Sequence, residues 1–502
     1  MKQRISKAIT PTKKIKRLSL VFLSPILLVS CDNSASQSSG FNQYNPNIDI
    51  KNETNPYRGG RDYFTEISRT TNYASPSTGN VKALVVPVAF DGYDYIKYYF
   101  SSSVDTIDDN FFVNRLEEAF FGEGKSYESV SSFYYKSSYG KLNITGDVSD
   151  IFHTSLSVQE VSSLGVPASN QIAEEFLETT NINLDEYDSD KDGKVDLMWF
   201  VYLYPYDYNG VSDVFWAYTT WLNDPSLKIS NYSWASFDFL TYYVDDMADS
   251  TDTYIHETGH QFGLDDYYDY DGLRAPLGGC DMMDTNTLDH NAFSKYCLGW
   301  TDPIVGEVGK TYTLKPFQEN GDSLILASNF NGSCYDEYFI LEYYTPTGLN
   351  YYNTHQDVSV FKEGFNINGL KILHVDSRIG RVSFDDKYIY WDGHTYDVPP
   401  VTSSTSYYTI NSNTPSSCFV NEDWALVSLV EADNEDTLMK MATETMMFTP
   451  RAENSDLFTP NTLKFGSQVY NNYVANEGWK IPCEVEITSM NEDGITITLN
   501  SL

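Results

Sequence analysis

An α/β domain followed by an all-β, sandwich-like C-terminal domain is the fold class this sequence predicts, and three observations predict it. Up to about Trp300, apolar runs of strand length alternate with short stretches of helical periodicity. Beyond Trp300 the strand-like runs continue without helices, separated by Gly, Asn, Asp and Pro. The length of 502 residues exceeds what one core fills, at roughly 100 to 200 residues per domain. The division that follows is 1–30 as an export signal, 31–78 as a flexible tether, 79–300 as the α/β domain and 301–502 as the β-rich domain.

The first thirty residues carry Lys and Arg up to Arg17, then an apolar run from Leu18 that ends in small residues, as an export signal does. Its end, Leu28-Val29-Ser30-Cys31, resembles the bacterial lipobox, where the signal is cut before a cysteine that then receives lipid. Cys31 is therefore the expected lipidation site, and the expected location is the extracytoplasmic face of the cell membrane. From Asp32 to about Ser77 the chain is rich in Ser, Asn, Gln and Gly without an apolar period, which reads as a spacer.

Order is expected to begin at VKALVVPVAF (Val81 to Phe90), an apolar, β-branched run suited to a buried strand. NRLEEAFFGEG places Leu116, Ala119 and Phe120 on one helical face with Gly122 as a stop, and SYESVSSFYYKSSYG does the same with Val130, Phe133 and Tyr134 before Gly140. KLNITGDVSDIF alternates like a half-buried strand. A helix, SNQIAEEFLETT, leads to YDSDKDGKVDLMWFVYLY, a polar loop running into a strongly apolar strand. After Trp300, KTYTLKPF, DSLILASNF, EYFILEYY, GLKILHVD, WALVSLVEAD, CEVEITSM and GITITLN are the predicted strands.

The net charge of −37 becomes −44 without the first thirty residues, which hold seven basic residues and no acidic ones. Such a surface excludes nucleic acid as a partner and disfavours anionic membrane surfaces. Beyond Cys31 the five cysteines (Cys280, Cys297, Cys334, Cys418, Cys483) lie far apart with no C-x-x-C spacing, so they form neither a disulfide scaffold nor a cysteine-based zinc site. Cys280 and Cys297 flank one segment, and spacing does not decide whether they pair.

Chemistry concentrates in HETGHQFGLDDYYDY, His256 to Tyr270. His256 and His260 are four residues apart, hence on one helical face, where both imidazoles reach one ion at about 2.0 to 2.1 Å. Glu257 sits beside that face, near enough to touch a water at the ion. Ser250, Thr251 or Asp252 can cap the helix, and Gly263 can end it by adopting a left-handed backbone. A catalytic zinc takes three protein ligands and keeps one position open. The extended pattern H-E-x-x-H-x-x-G-x-x-(His or Asp) puts Asp266 third, with Asp265 and Asp269 as rivals. About twenty residues on, GGCDMMD offers a turn in which Met283 suits the methionine base beneath such a site.

Residues from about Val81 to Trp300 resemble the immune-inhibitor-A-like metallopeptidases, secreted bacterial zinc proteases. The resemblance is carried by VKALVVPVAFDGY, SFYYKSSYGKLNITGDVSDIF, SDKDGKVD, HETGHQFGLDDYYDY and GGCDMMDTNTLDHNAFSKYCLGW, and extends weakly through EYFILEYY and GLKILHVD. It implies a metzincin-like catalytic domain, zinc on His256, His260 and Asp266, Met283 in the methionine turn, and protein or peptide substrates. Many relatives have Leu-Pro-Asp-Glu-Tyr-Asp where this chain has Leu264 to Asp269, and Tyr267 replaces the glutamate. The implied role of Glu257 is the general base that takes a proton from the attacking water and returns it to the leaving amine. A further oxyanion donor is expected, and the 40 tyrosines leave it unnamed.

A second metal candidate spans Asp188 to Asp196. Asp188, Asp190, Asp192 and Asp196 stand at loop positions 1, 3, 5 and 9, Lys194 supplies a backbone carbonyl at 7, and Gly193 makes the turn at 6. This matches the front of a calcium loop, although position 12 is Trp199. His290 reads as a cap or packing residue and His374 as a structural histidine. Two other readings fit the motif: a hydrolase of non-peptide substrates, and a surface-binding lipoprotein without activity. The intact Glu257 argues against the second, since binding alone needs no base.

Overall fold

The protein is described here as a computed structural model covering residues 74–502, apart from 100–107, 124–126, 208–211, 223, 225, 242–249, 329, 356–363, 384–387, 392–393, 398–405, 443–449 and 471–473. The predicted signal, Cys31 and most of the predicted tether lie outside the described residues. No helix among the described residues is long and apolar enough to cross a membrane.

The architecture is mixed α/β with several sheets. Strand β1 (Gly79–Asp91) is the hub of the first, a six-stranded sheet. It pairs in parallel with β2 (Leu142–Val148), β3 (Phe152–Ser157) and β4 (Leu197–Tyr202). β6 (Asn231–Ser236) continues the sheet in parallel, and β5 (Tyr218–Trp221) closes that edge antiparallel. β4, and β1 from Ala83 to Phe90, read as apolar runs because both faces of the sheet are covered. Val81, Ala83, Val85, Leu197, Trp199 and Val201 enter one cluster; Leu84, Val86, Val88, Met198, Phe200 and Tyr202 enter another.

The first face is covered by α1 (Asp109–Phe121) and α2 (Val130–Ser137), which bury Leu116, Phe120, Phe133 and Tyr134. The second is covered by α3 (Val158–Leu164) and α4 (Pro167–Thr179), through Val161, Ile172 and Phe176. Ser129 and Ser157 cap α2 and α3 by accepting backbone N–H groups, each in a reciprocal capping box. The helix bearing the histidine pair, α5 (Asp252–Gln261), lies on the first face, with Tyr254 and Ile255 in its core.

Beyond α5 come the short helices α6 (Met282–Thr285) and α7 (Ala292–Cys297). Then β7 (Ile304–Val305), β9 (Ser323–Leu326), β10 (Glu337–Tyr344), β11 (Gly369–Asp376) and β16 (Val427–Leu429) form a sheet in the order β16-β11-β10-β9-β7. A three-stranded sheet, β17-β18-β8, joins β8 (Thr311–Leu314), β17 (Cys483–Asn491) and β18 (Gly494–Ser501). A four-stranded meander in the order β14-β13-β12-β15 uses β12 (Ile379–Ser383), β13 (Tyr388–Trp391), β14 (His394–Asp397) and β15 (Ser406–Thr409).

Alternation along β10 explains how the two halves meet. Phe339, Leu341 and Tyr343 pack toward β8, β17 and β18, while Tyr338, Ile340 and Tyr344 pack into the cluster that contains α5 and β1. The largest apolar cluster thus runs from Val81 to Leu457 and belongs to both halves.

Buried polar groups reinforce that junction. Arg274, 1% exposed, donates to the carbonyls of Asn413, Glu422, Ser412 and Trp424. The Cys297 thiol meets Cys334 across the same junction, and all five described cysteines are free. Order also starts earlier than its apolar signal: Ser75 and Ser77 are buried, Ser75 N–H donates to Gln261 O at 2.7 Å, and Trp300 Nε1 donates to Ser77 O at 2.7 Å.

Candidate metal centre

The local sequence of α5 places its histidines. Thr251 stands at the N-cap position, yet its hydroxyl donates to Glu128 O, so the expected side-chain cap is replaced by a tether to the loop before α2. Gly263 has φ +91°, and its N–H donates to His260 O at 2.9 Å, so the chain reverses there as expected. That reversal brings Asp266 back over the helix.

Three atoms converge. Asp266 Oδ1 lies 2.9 Å from His256 Nε2 and 3.2 Å from His260 Nε2, and the two Nε2 atoms are 3.1 Å apart. His256 Nδ1 is 2.8 Å from Met282 O, and His260 Nδ1 is 2.8 Å from Leu264 O. A carbonyl accepts only, so each Nδ1 carries the proton and each Nε2 of the neutral ring presents a lone pair. Asp266 Oδ1 is buried without a hydrogen-bond donor. Three lone-pair atoms facing one another without a proton between them fit a cation, and this donor set of two imidazoles and a carboxylate suits zinc.

The rivals of Asp266 stand apart. Asp269 turns into the loop, where its carboxylate accepts the N–H groups of Asp271, Leu273 and Arg274 at 2.7 to 2.8 Å. Asp265 contributes no atom to the converging group. Tyr270 donates to Asp266 Oδ2, and Tyr268 Oη is 3.2 Å from Tyr270 Oη. The Tyr268 ring faces that of His256 at 6.5 Å, so these two tyrosines, unnamed by sequence, border the site.

Glu257 is 4% exposed beside the pair. Burial raises its carboxyl above the ordinary range. Met283 lies under the helix. A Cβ on Gly259 would come within 2.6 Å of Met283 Sδ and 3.3 Å of Tyr134 Oη, so glycine between the histidines admits both side chains. Met283 O also accepts the Tyr267 N–H at 2.7 Å, which ties the methionine turn to the loop carrying Asp266.

In the second candidate, carboxylate oxygens of Asp188, Asp190 and Asp196 lie within 4.8 Å of one another, and Asp192 is outside that group. Asp192 Oδ1 instead accepts the Lys194 N–H at 2.8 Å, as a turn residue does. The Lys194 ammonium donates to Leu227 O, and Gly193 has φ +94° as the turn requires. Trp199, at loop position 12, is buried in β4 against Phe120 and Tyr254. Burial pushes the Asp196 carboxyl up to about 6. A third group, Glu431, Asp433 and Asp456, went unseen in the sequence because its members are 25 residues apart at the extremes. Glu431 there accepts the N–H groups of Thr437 and Leu438, a loop clamp.

His290 packs among Phe133, Tyr134 and Trp300 with no hydrogen-bond partner on either ring nitrogen, which is a packing role. His374 pairs with Glu337 at 3.0 Å within the β10–β11 pair. Comparison with protein-family models and with curated proteins finds no match for the chain.

Proposed function

We propose that the chain is a zinc-dependent endopeptidase, exported and lipid-anchored through Cys31, that hydrolyses peptide bonds in extracellular proteins. The observation that carries this reading is the convergence of His256 Nε2, His260 Nε2 and the orphaned Asp266 Oδ1 beside the buried Glu257. The reading gives residues 79–300 a metzincin-like fold and residues 301–502 a sandwich-like one. The apolar layer of Phe339, Leu341, Ile372, Ile495 and Ile497 between two sheets supports the latter.

His256, His260 and Asp266 would hold the ion. When bound, zinc supplies an acidified water and a Lewis acid for the scissile carbonyl. Glu257 accepts the proton of the attacking water on its carboxylate and returns it to the nitrogen of the leaving amine. Met282 O and Leu264 O hold the two rings in the tautomer that ligation needs.

The test is incubation of the soluble chain from residue 32 with denatured protein, with and without a zinc chelator, the products being read by mass spectrometry. Internal cleavage that the chelator stops, and that Glu257→Gln abolishes while zinc stays bound, is the expected result. Near-normal turnover in Glu257→Gln would sink the mechanism.

A further inference from the structure

Behind Glu257 runs a buried line of polar side chains that proton transfer by Glu257 alone does not explain. Gln261, one turn further along α5, receives the Met198 N–H on Oε1 at 3.2 Å, which orients its amide. Its Nε2 donates to Ser233 Oγ at 2.7 Å. Ser233 Oγ lies 2.7 Å from Thr219 Oγ1 and 3.1 Å from Glu257 O. Thr219 Oγ1 in turn lies 2.8 Å from Glu257 O and 3.2 Å from Glu257 Oε2. Gln261 and Ser233 are wholly buried, and Thr219 is 9% exposed.

Proton counting limits what the line can do. Each hydroxyl has one proton to donate. Gln261 fills one acceptor position of Ser233, and the 2.7 Å contact between the two hydroxyls can be made by either proton; when Ser233 donates it, the Thr219 proton is left for Glu257. That proton is shared between the Glu257 carbonyl at 2.8 Å, the closer acceptor, and Glu257 Oε2 at 3.2 Å. Thr219 and Ser233 are direct cross-strand partners in the β5–β6 pair, so sheet register brings them to one face beneath α5. A cross-strand Thr–Ser pair stabilises a sheet without a third partner. Here Thr219 also reaches a carboxylate oxygen, Glu257 Oε2 at 3.2 Å.

We propose that Thr219 is a positioning residue for the general base, holding Glu257 Oε2 so that the other carboxylate oxygen is presented for proton transfer, with Ser233 and Gln261 holding Thr219. The proposal rests on the reading of Glu257 as the base. Reaction geometry is steep in distance, and a displacement of about 1 Å costs on the order of 100-fold in rate.

The experiment compares Thr219→Val, which keeps shape and loses the hydroxyl, with Thr219→Ser, which keeps the hydroxyl, in the zinc-loaded chain. Thr219→Val is expected to lower kcat by about 10- to 100-fold with KM within about twofold and zinc content unchanged, and Thr219→Ser to recover most of kcat. Affinity for acetohydroxamate, which gives up a proton to the base as it binds, is expected to fall about tenfold in Thr219→Val and not in Thr219→Ser. Should Thr219→Val fail to fold, Thr219→Ala replaces it in the same comparison. Full kcat in Thr219→Val beside an inactive Glu257→Gln overturns the positioning role alone, as does a Thr219→Ser variant slowed as much as Thr219→Val. Absence of chelator-sensitive cleavage by the unaltered chain overturns the peptidase reading instead.

Discussion

Substituting the two aspartates that bracket the tyrosines separates a ligand from a loop clamp. Asp266→Asn changes the one buried carboxylate oxygen that faces both Nε2 atoms, while Asp269→Asn changes a carboxylate bonded to three backbone N–H groups. At an effective dielectric of about 20, one unit charge pair near 4 Å is worth about 4 kcal/mol. The Asp266 contacts are closer than that, and the ion is divalent, so 4 kcal/mol is a floor before desolvation is subtracted. Because 1.4 kcal/mol is tenfold in affinity, Asp266→Asn is expected to weaken zinc binding by about 1,000-fold. Asp269→Asn keeps normal zinc affinity but loses about 1–3 kcal/mol of stability, because an amide cannot satisfy all three donors. Competition against a chromophoric zinc chelator, with thermal melting of each metal-free variant, measures both quantities. Zinc affinity kept in Asp266→Asn and lost in Asp269→Asn would refute the assignment and the argument from the orphaned oxygen.

Three further outcomes follow from the same geometry. Tyr270→Phe removes the donor to Asp266 Oδ2 and is expected to weaken zinc binding about 10- to 100-fold with little change in melting temperature, measured by the same competition. Calcium is expected to raise the melting temperature, by the equivalent of about 2.7 kcal/mol at a hundredfold excess over Kd, and Asp190→Asn to reduce that shift; a flat calorimetric titration would reject the loop as a calcium site. Burial pushes the Asp336 carboxyl up to about 7, above its unfolded value, so its contribution is greatest below about pH 4 and is lost as the pH climbs to 7. Asp336→Asn is therefore expected to flatten part of the fall in melting temperature between pH 5 and 7.5, by roughly 2 kcal/mol across that window, and an unchanged slope would contradict it.

Much of the fold was legible because the strongest patterns had a single physical cause. LMWFVY, and VKALVVPVAF apart from Lys82, are apolar because helices cover both faces of their sheet, and short runs of that kind read as buried strands wherever they occur. Gly122, Gly140 and Gly263 were legible as stops, since each ends a helical pattern. The partners of those faces were not legible. The period of β10 shows that Phe339 and Ile340 point opposite ways, but nothing in EYFILEYY says that one meets β18 and the other the cluster containing α5. Cys297 shows the same limit: spacing left its pairing with Cys280 undecided, and the fold brings Cys334 to it.

The site divides along the same line between local and distant causes. Two imidazoles four residues apart are a local fact, and so is the turn at Gly263. The choice of Asp266 over Asp269 depends on which carboxylate the next loop consumes, and Thr219 reads in YTTW only as a β-branched strand former until register sets it beside Ser233 and Glu257. The longest dependence runs outward from His256. Its tautomer is fixed by Met282 O; Asp281 accepts the N–H groups of Met283 and Asn291 at 2.8 Å; the next N–H, that of Ala292, donates to Glu342 Oε2 at 2.8 Å; and Glu342 pairs with Lys371 at 3.3 Å. Glu342 and Lys371 belong to β10 and β11, and both are buried. The proton on a ring that faces the candidate metal centre is therefore held in place partly by the second half of the chain. The β-rich half is scaffold for the candidate site.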